Sequence, residues 1–143
     1  KFMSYIEKDL QPYIEQHYKT NGTKTLIGQS LAGLFATEVL FKKPELFQNY
    51  CIVSPSLWWD NGSLLKQPLK FPETPMNVYI SVGAEGKEMV SGANNLGKAL
   101  QKTGQKNVRY SYNYLPKEDH GTILHHAVQS AFEWMAKVAV VKK

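Results

Sequence analysis

A serine with small neighbours lies between an apolar run and a helical pattern near the start of the chain. Ser30 follows the apolar segment 24–28, and residues 31–43 have apolar side chains at helical spacing. A serine between a strand and a helix, with small residues around it, is typical of a nucleophile elbow. In such an elbow the tight turn holds the serine hydroxyl above the helix N-terminus. The segment therefore predicts a serine nucleophile for acyl-transfer chemistry.

The turn needs small side chains on both sides of the serine, because larger ones would collide. Gly28, Ala32 and Gly33 leave this space, although the usual Gly-x-Ser-x-Gly pattern has glycine where Ala32 stands. One methyl group is a mild departure that does not forbid the turn. The Leu31 amide, at the helix N-terminus, would point to the place where an oxyanion develops. The alternative interpretation is a helix N-cap in which Ser30 has no catalytic role.

A serine nucleophile needs a general base, and the chain has four histidines. His120 is the favoured candidate because it follows the last predicted strand, and catalytic groups gather at the carboxyl ends of parallel strands. His17 precedes the serine on the first helix, whereas His125 and His126 fall in the first turn of the last helix and are expected to cap or pack. A metal site at Asp119, His120 and His125 is disfavoured, and we expect no metal.

The acid that would orient the base is chosen among several carboxylates. Glu85 is favoured because it lies closest to the end of the third predicted strand, between two glycines that permit a sharp turn. Glu88, in the same loop, and Asp60, after the second strand, are the alternatives. Asp119 is adjacent to His120 and is expected to face away from it. A serine–histidine pair with weak acid support also remains open.

The elements that must position these residues alternate along the chain. The predicted strands cover residues 24–28, 50–53, 77–82 and 108–115, and the predicted helices cover 2–17, 31–43, 94–102 and 124–138. We expect a kink or a break at Pro12, a long loop over 60–76, and Phe132 and Val138 facing inward. Strands that alternate with helices predict a mainly parallel sheet in a layered α/β fold, as one domain over residues 1–143.

Composition excludes several classes of function. The net charge is +5, but 16 of the 17 cations are scattered lysines and Arg109 is the one arginine. Proteins that read base edges rely on arginine, so we expect no nucleic-acid partner. The one cysteine, Cys51, excludes an internal disulfide and a thiolate zinc cluster. No stretch is long and apolar enough to span a membrane and no signal peptide is evident, so we expect no membrane partner.

Three segments of the chain resemble the C-terminal part of the putative-esterase family of α/β hydrolases, which includes esterase D-like and siderophore esterases. The matching segments are Leu-Ile-Gly-Gln-Ser-Leu-Ala-Gly-Leu at 26–34, Lys-Pro-Glu-Leu-Phe at 43–47 and Ser-Pro-Ser-Leu-Trp-Trp-Asp-Asn at 54–61, with weaker matches at 78–83 and 118–120. The resemblance implies that Ser30 is the nucleophile, His120 the general base and Glu85, less directly, the acid.

The same resemblance implies a substrate site around Gln29, Trp58 and Trp59. The two tryptophans would lie near its mouth, although core packing is an equal alternative for them. A basic surface and a tryptophan-rich loop would suit an aromatic or anionic ester such as a catecholate siderophore.

Family members have several strands before the elbow, whereas this chain has one helix there. The resemblance therefore implies an α/β-hydrolase-like three-layer sandwich that lacks its N-terminal strands and the loop with a second oxyanion donor. The strand at 24–28 would expose an edge and an apolar face, which favours self-association or pairing with the absent segment.

The resulting hypothesis is a serine hydrolase that acts on a small-molecule carboxylic ester without a cofactor. The alternatives are a hydrolase-like domain that binds or assembles without turnover, and an acyltransferase on the same scaffold.

Overall fold

The computed structural model describes residues 1–139, in which four strands alternate with helices. The strands are β1 (Thr25–Gln29), β2 (Asn49–Val53), β3 (Met76–Gly83) and β4 (Val108–Leu115). The helices are α1 (consecutive segments Phe2–Tyr5, Ile6–Leu10 and Gln11–His17), α2 (Leu31–Lys42), α3 (Lys87–Thr103) and α4 (Ile123–Ala139). Short helical turns lie at Pro44–Leu46, Trp59–Gly62 and Ser63–Lys66, the last two in the predicted long loop.

The four strands form one parallel sheet in the order β1-β2-β3-β4. Because every connection is a crossover between parallel neighbours, the helices must cover the faces of the sheet. The structure confirms the predicted α/β fold, and each predicted strand lies within two residues of its observed bounds.

Helices cover both faces of the sheet, which gives three layers. One face packs against α2 and α3 through a core that includes Leu40, Ile52, Ile80 and Leu96, each fully buried. The other face packs against α4 through Val53, Tyr79, Ile123, Ala127 and Ala131. Ile123, Ala127 and Ala131 follow one another at intervals of four residues, so they form one stripe along α4. Burial of these side chains is the main term that stabilises the layers.

Two predicted details of the helices were wrong. Helix α3 begins at Lys87, seven residues before the predicted start, and Ala93 is buried in this added segment. Phe132 is 51% exposed because it lies one position beyond the buried stripe of α4, which turns it away from the sheet. The side chain of Val138, also predicted to face inward, lies outside the residues whose side chains the structure describes.

Pro12 lies where the π-helical segment of the first helix ends and a new α-helical segment begins, as one of the two predicted alternatives has it. Proline has no N–H, so it cannot bond to the carbonyl of the residue four positions before it. The N–H of Gln11 bonds instead to the carbonyl of Ile6, five residues back, in the π-helical segment Ile6–Leu10. Pro12 then occupies the first turn of Gln11–His17, where its missing donor is tolerated. The backbone torsion angles stay helical at both junctions, and the hydrogen-bond register changes from five residues to four at the start of Gln11–His17.

The favoured catalytic candidates Ser30, Glu85 and His120 lie at the sheet edge formed by the carboxyl ends of the strands. Ser30 follows β1 directly, Ser54 follows β2, Glu85 comes two residues after β3, and His120 lies in the loop between β4 and α4.

At the side of the sheet, β1 has one strand neighbour, and its Ile27 side chain is 40% exposed. Within residues 1–139, no helix combines the length and apolar character that crossing a membrane requires.

Candidate active site

Ser30 stands at the junction of β1 and α2 in a strained backbone conformation. Its φ is 59° and its ψ is −117°, a region that residues with a side chain rarely adopt. Hydrogen bonds on both sides hold it there. Its N–H donates to the carbonyl of Val53 at 3.1 Å, and its carbonyl accepts from the N–H groups of Leu34 at 2.9 Å and Ser56 at 3.1 Å. The turn projects the Ser30 hydroxyl from the carboxyl edge of the sheet.

The small residues around Ser30 are required by close backbone contacts. A Cβ atom at Gly28 would lie 2.2 Å from the carbonyl oxygen of Ala32, and one at Gly33 would lie 3.0 Å from both Val53 O and Pro55 Cα. Ala32 itself is exposed, so its methyl group finds room where the usual pattern has glycine. The departure from the pattern is therefore compatible with the turn.

The Glu85 carboxylate is held by three donors. Its Oε1 accepts from the N–H of Gly83 at 3.0 Å and from the Ser54 hydroxyl. Its Oε2 lies 2.5 Å from Nδ1 of His120, and the Glu85 side chain is only 3% exposed. Because a carboxylate can only accept, Nδ1 is the donor in this contact, which leaves Nε2 as the ring nitrogen that can act on another group.

The structure separates the other candidate acids from His120. Asp60 and Glu88 are both exposed, Asp60 in the turn Trp59–Gly62 and Glu88 in the first turn of α3. The Asp119 carboxylate accepts from the N–H groups of Gly121 at 2.8 Å and Thr122 at 3.1 Å, so its hydrogen bonds lie within its own loop rather than with the imidazole of its neighbour.

The loop that carries His120 is attached to the ends of β1 and β3. The Gln29 side chain donates to the carbonyl of His120 at 2.6 Å, and the N–H of Ala84 donates to the carbonyl of Glu118 at 2.7 Å. At Gly83 the chains approach so closely that a Cβ atom would lie 2.4 Å from Glu118 O. Gln29, expected from the resemblance to bind substrate, thus has a contact that positions the histidine loop.

A salt bridge on the far side of the loop adds a further attachment. Glu118 Oε1 lies 2.8 Å from His126 Nδ1. Its hydrogen bond with Thr122, followed by its interaction with His126, lowers the pKa of the Glu118 carboxyl. His126 thus has a structural partner, and His125 is exposed on α4.

Ser30, Glu85 and His120 line one cavity of about 490 Å³, together with Ser56 and Trp58. Among the described residues, the side-chain partner of the Ser30 hydroxyl is Ser56 Oγ at 3.4 Å. The Ser30 and His120 side chains therefore share the cavity without a direct hydrogen bond. A long separation of this kind is common in the absence of substrate.

The remaining predicted residues surround this cavity. Leu31 begins α2, so its N–H is one of the first-turn amides that have no partner within the helix. Trp58 is 47% exposed and lines the cavity, whereas Trp59 is 58% exposed and lines a neighbouring groove beside α2. Both tryptophans are too exposed for the alternative role of core packing.

Ser54 and Ser56 were missed as candidate site residues. Ser54 is fully buried with φ of 42°, and its hydroxyl donates to Glu85. Ser56 contacts Ser30 through both its N–H and its hydroxyl. The available signal was a Ser-Pro-Ser segment directly after a buried strand, at the same sheet edge as Ser30. No group of three histidine, cysteine, aspartate or glutamate side chains within residues 1–139 is placed to hold a metal ion.

Comparison with known proteins assigns this chain to a family. The model of the family described as "Putative esterase" matches residues 1–140. Ferri-bacillibactin esterase BesA of Bacillus subtilis (strain 168) is 31% identical over 134 residues, which cover 86% of this chain and 46% of that protein.

Two solved structures show the same fold. The BES protein from Bacillus cereus is 32% identical with a TM-score of 0.82, over 91% of this chain and 52% of that one. An IroE-like serine hydrolase from Shewanella oneidensis is 25% identical with a TM-score of 0.78, over 91% of this chain and 45% of that one. The chain thus spans about half the length of each of these relatives.

Proposed function

We propose that this chain, which belongs to the "Putative esterase" family, supplies the nucleophile, base and acid of a serine hydrolase that cleaves carboxylic esters. The observation that carries the proposal is the buried Glu85 carboxylate against Nδ1 of His120, in a cavity that Ser30 also lines. A carboxylate, an imidazole and a hydroxyl in this order are the groups that nucleophilic acyl transfer requires. Their relative positions, rather than the fold, are the argument for the reaction.

In the first half of the reaction, Ser30 Oγ attacks the ester carbonyl carbon while His120 Nε2 takes the hydroxyl proton. Glu85 keeps the proton of the ring on Nδ1 and stabilises the imidazolium that forms. The Leu31 N–H, at the positive end of α2, donates to the oxyanion of the tetrahedral intermediate. The C–O bond then breaks, the alcohol leaves with the proton from His120, and the acyl group remains on Ser30.

In the second half, water attacks the acyl-enzyme and gives its proton to His120. The second tetrahedral intermediate collapses, the acid is released and Ser30 recovers its proton. All proton transfers pass through one imidazole, so no cofactor is needed.

The names of the relatives support a siderophore ester as the small-molecule substrate. One relative is named a ferri-bacillibactin esterase, and another is named a siderophore enterobactin esterase. Trp58, exposed beside the nucleophile, offers an aromatic face against which a planar ring can stack.

A fluorophosphonate probe tests the proposal because it reacts covalently with an activated serine. We expect labelling at Ser30 that is abolished in Ser30→Ala and falls at least 100-fold in His120→Ala. His125→Ala is the matched control, since His125 is exposed on α4 and should leave labelling unchanged. Folded protein that does not label at Ser30, or that labels equally without His120, contradicts the proposal.

The same assay distinguishes the alternatives from the sequence. A domain that binds without turnover would not label, whereas an acyltransferase would label and then prefer an added alcohol to water as acceptor.

A further inference from the structure

A groove beside the proposed active site runs along α3 and is edged by lysines. It has a volume of about 850 Å³ and lies between α3 and the segment 57–69. We call it the α3 groove. Trp58 lines both this groove and the cavity of Ser30, so the two spaces meet at its side chain. A ligand that passes Trp58 can therefore occupy both.

The charged groups of the groove are unevenly distributed. Glu88, in the first turn of α3, lies at the end near the active site. Lys98 and Lys102 lie one turn apart at the far end of the same helix, and Lys66 also lines the groove from the opposite wall. Within residues 1–139, none of the three lysines has a carboxylate within 4.0 Å, whereas Lys24, Lys42 and Lys43 are all ion-paired.

The length of α3 sets the distance between these charges and the reaction. Met89 lines the Ser30 cavity, and Lys98 and Lys102 follow it by nine and thirteen residues. At 1.5 Å per residue, they lie about 14 Å and about 20 Å further along the helix axis. The wall between these points offers neutral polar groups such as Asn95 and apolar groups such as Ala99.

We propose that the α3 groove binds the distal, negatively charged end of an extended ester, with a carboxylate or similar oxyanion held by Lys66, Lys98 and Lys102. This rests on the proposed function, because the ester end must reach Ser30. Glu88 repels an anion close to the reacting bond, so only substrates whose charge lies far from the ester gain from the lysines. Lysine suits this role, since a flexible ammonium group can follow an anion at an exposed site.

Matched long and short esters test the proposal in kinetics. The long pair is the 4-nitrophenyl half-ester of dodecanedioic acid and its methyl-capped, uncharged form, and the short charged ester is the 4-nitrophenyl half-ester of succinic acid. We expect KM for the long charged ester to be about tenfold below that of the capped form, with similar kcat. Because exposed ion pairs are screened, this difference should shrink in 0.5 M salt.

Reversing the charge of two groove lysines tests whether they cause this difference in KM. Lys98→Glu combined with Lys102→Glu should raise KM for the long charged ester at least tenfold and leave the capped and short esters unchanged. The matched control is Lys19→Glu with Lys106→Glu, which changes the net charge equally at exposed lysines outside the groove. Equal effects of both double variants, or of the groove variant on all three esters, overturn the proposal.

A binding measurement keeps this test separate from catalysis. Ser30→Ala is titrated calorimetrically with monomethyl dodecanedioate and with its dimethyl ester. Tighter binding of the monoanion that disappears with the Lys98 and Lys102 reversals supports the groove even if no ester is hydrolysed. If 4-nitrophenyl acetate is hydrolysed but the monoanion binds no better than the diester, the groove proposal fails while the proposed function stands.

Discussion

Replacement of Gly83 by alanine tests how closely the proposed catalytic geometry depends on one backbone contact. The added Cβ atom would lie 2.4 Å from the carbonyl oxygen of Glu118, 2.9 Å from its carbonyl carbon and 3.0 Å from Glu85 Oε1. Ordinary contact begins near 3.4 Å. The loop must therefore retreat by about 1 Å. Because the clashing group is the backbone carbonyl of Glu118, rotation of a side chain cannot relieve the clash.

A shift of this size acts directly on Glu85 and His120, the proposed acid and base. Moving Glu118 away breaks the 2.7 Å hydrogen bond from Ala84, and His120 is only two residues further along. A misplacement of about 1 Å can cost about 100-fold in rate, so we expect kcat for 4-nitrophenyl acetate to fall about 100-fold in Gly83→Ala. Overpacking should also lower the free energy of unfolding by about 1–3 kcal/mol.

The assay compares kcat with urea unfolding for Gly83→Ala and for Gly97→Ala. Gly97 is a less tight position on α3, where a Cβ atom would lie 3.3 Å from the side-chain atom Tyr112 Cβ and meets no part of the His120 loop. The control should change stability but keep kcat within about twofold, because it leaves the His120 loop in place. A folded Gly83→Ala protein with unchanged kcat would refute the view that this contact sets the position of the histidine.

The remaining expectations concern two buried side chains. Ser54→Ala removes the hydroxyl that donates to Glu85, so kcat should fall about tenfold or more with KM unchanged, whereas a purely structural role would lower stability and leave kcat intact. Burial raises the pKa of the Cys51 thiol to about 12, so iodoacetamide at pH 8.5 should label Cys51 only after unfolding. An unfolded thiol ionises from about pH 9, so the contribution of Cys51 to stability is complete below pH 9 and is lost between about pH 9 and pH 12. Across that range the free energy of unfolding should fall more steeply with pH for the native protein than for Cys51→Ala, and parallel curves would contradict this expectation.

Much of the fold could be predicted because local patterns determine it. The strands are short apolar or alternating runs, and the elbow is encoded within ten consecutive residues, 25–34. The early start of α3 was missed because residues 87–93 contain Gly92 and few strongly apolar side chains, a composition that does not favour a helix. Tertiary packing overrides this weak local preference, since Ala93 is buried against the sheet and Gly92 lies against Leu57.

The sequence predicts the candidate site residues from two features alone, which are their order along the chain and their distance from the ends of the predicted strands. Distance from the strand end favoured Glu85 over Glu88, and the structure brings Glu85 to His120. The contacts from Ser54 to Glu85 and from Gln29 to the His120 carbonyl join residues 31 and 91 positions apart. No local pattern reports such contacts, so they require the structure.

The geometry of the site follows from the register of the sheet. One residue past each of three strands, a backbone hydrogen bond still joins neighbouring segments: Ser30 to Val53, Ser54 to Ser81 and Ala84 to Glu118. These bonds extend the pairing of the strands into the turns that carry Ser30, Glu85 and His120, the proposed nucleophile, acid and base. Positive φ at Ser30 and at Ser54 places backbone strain at the same edge, where neighbouring strands hold it in place. The relative positions of the three groups are therefore set by β1–β4 and their turns, and a slip of register by one residue would separate the groups.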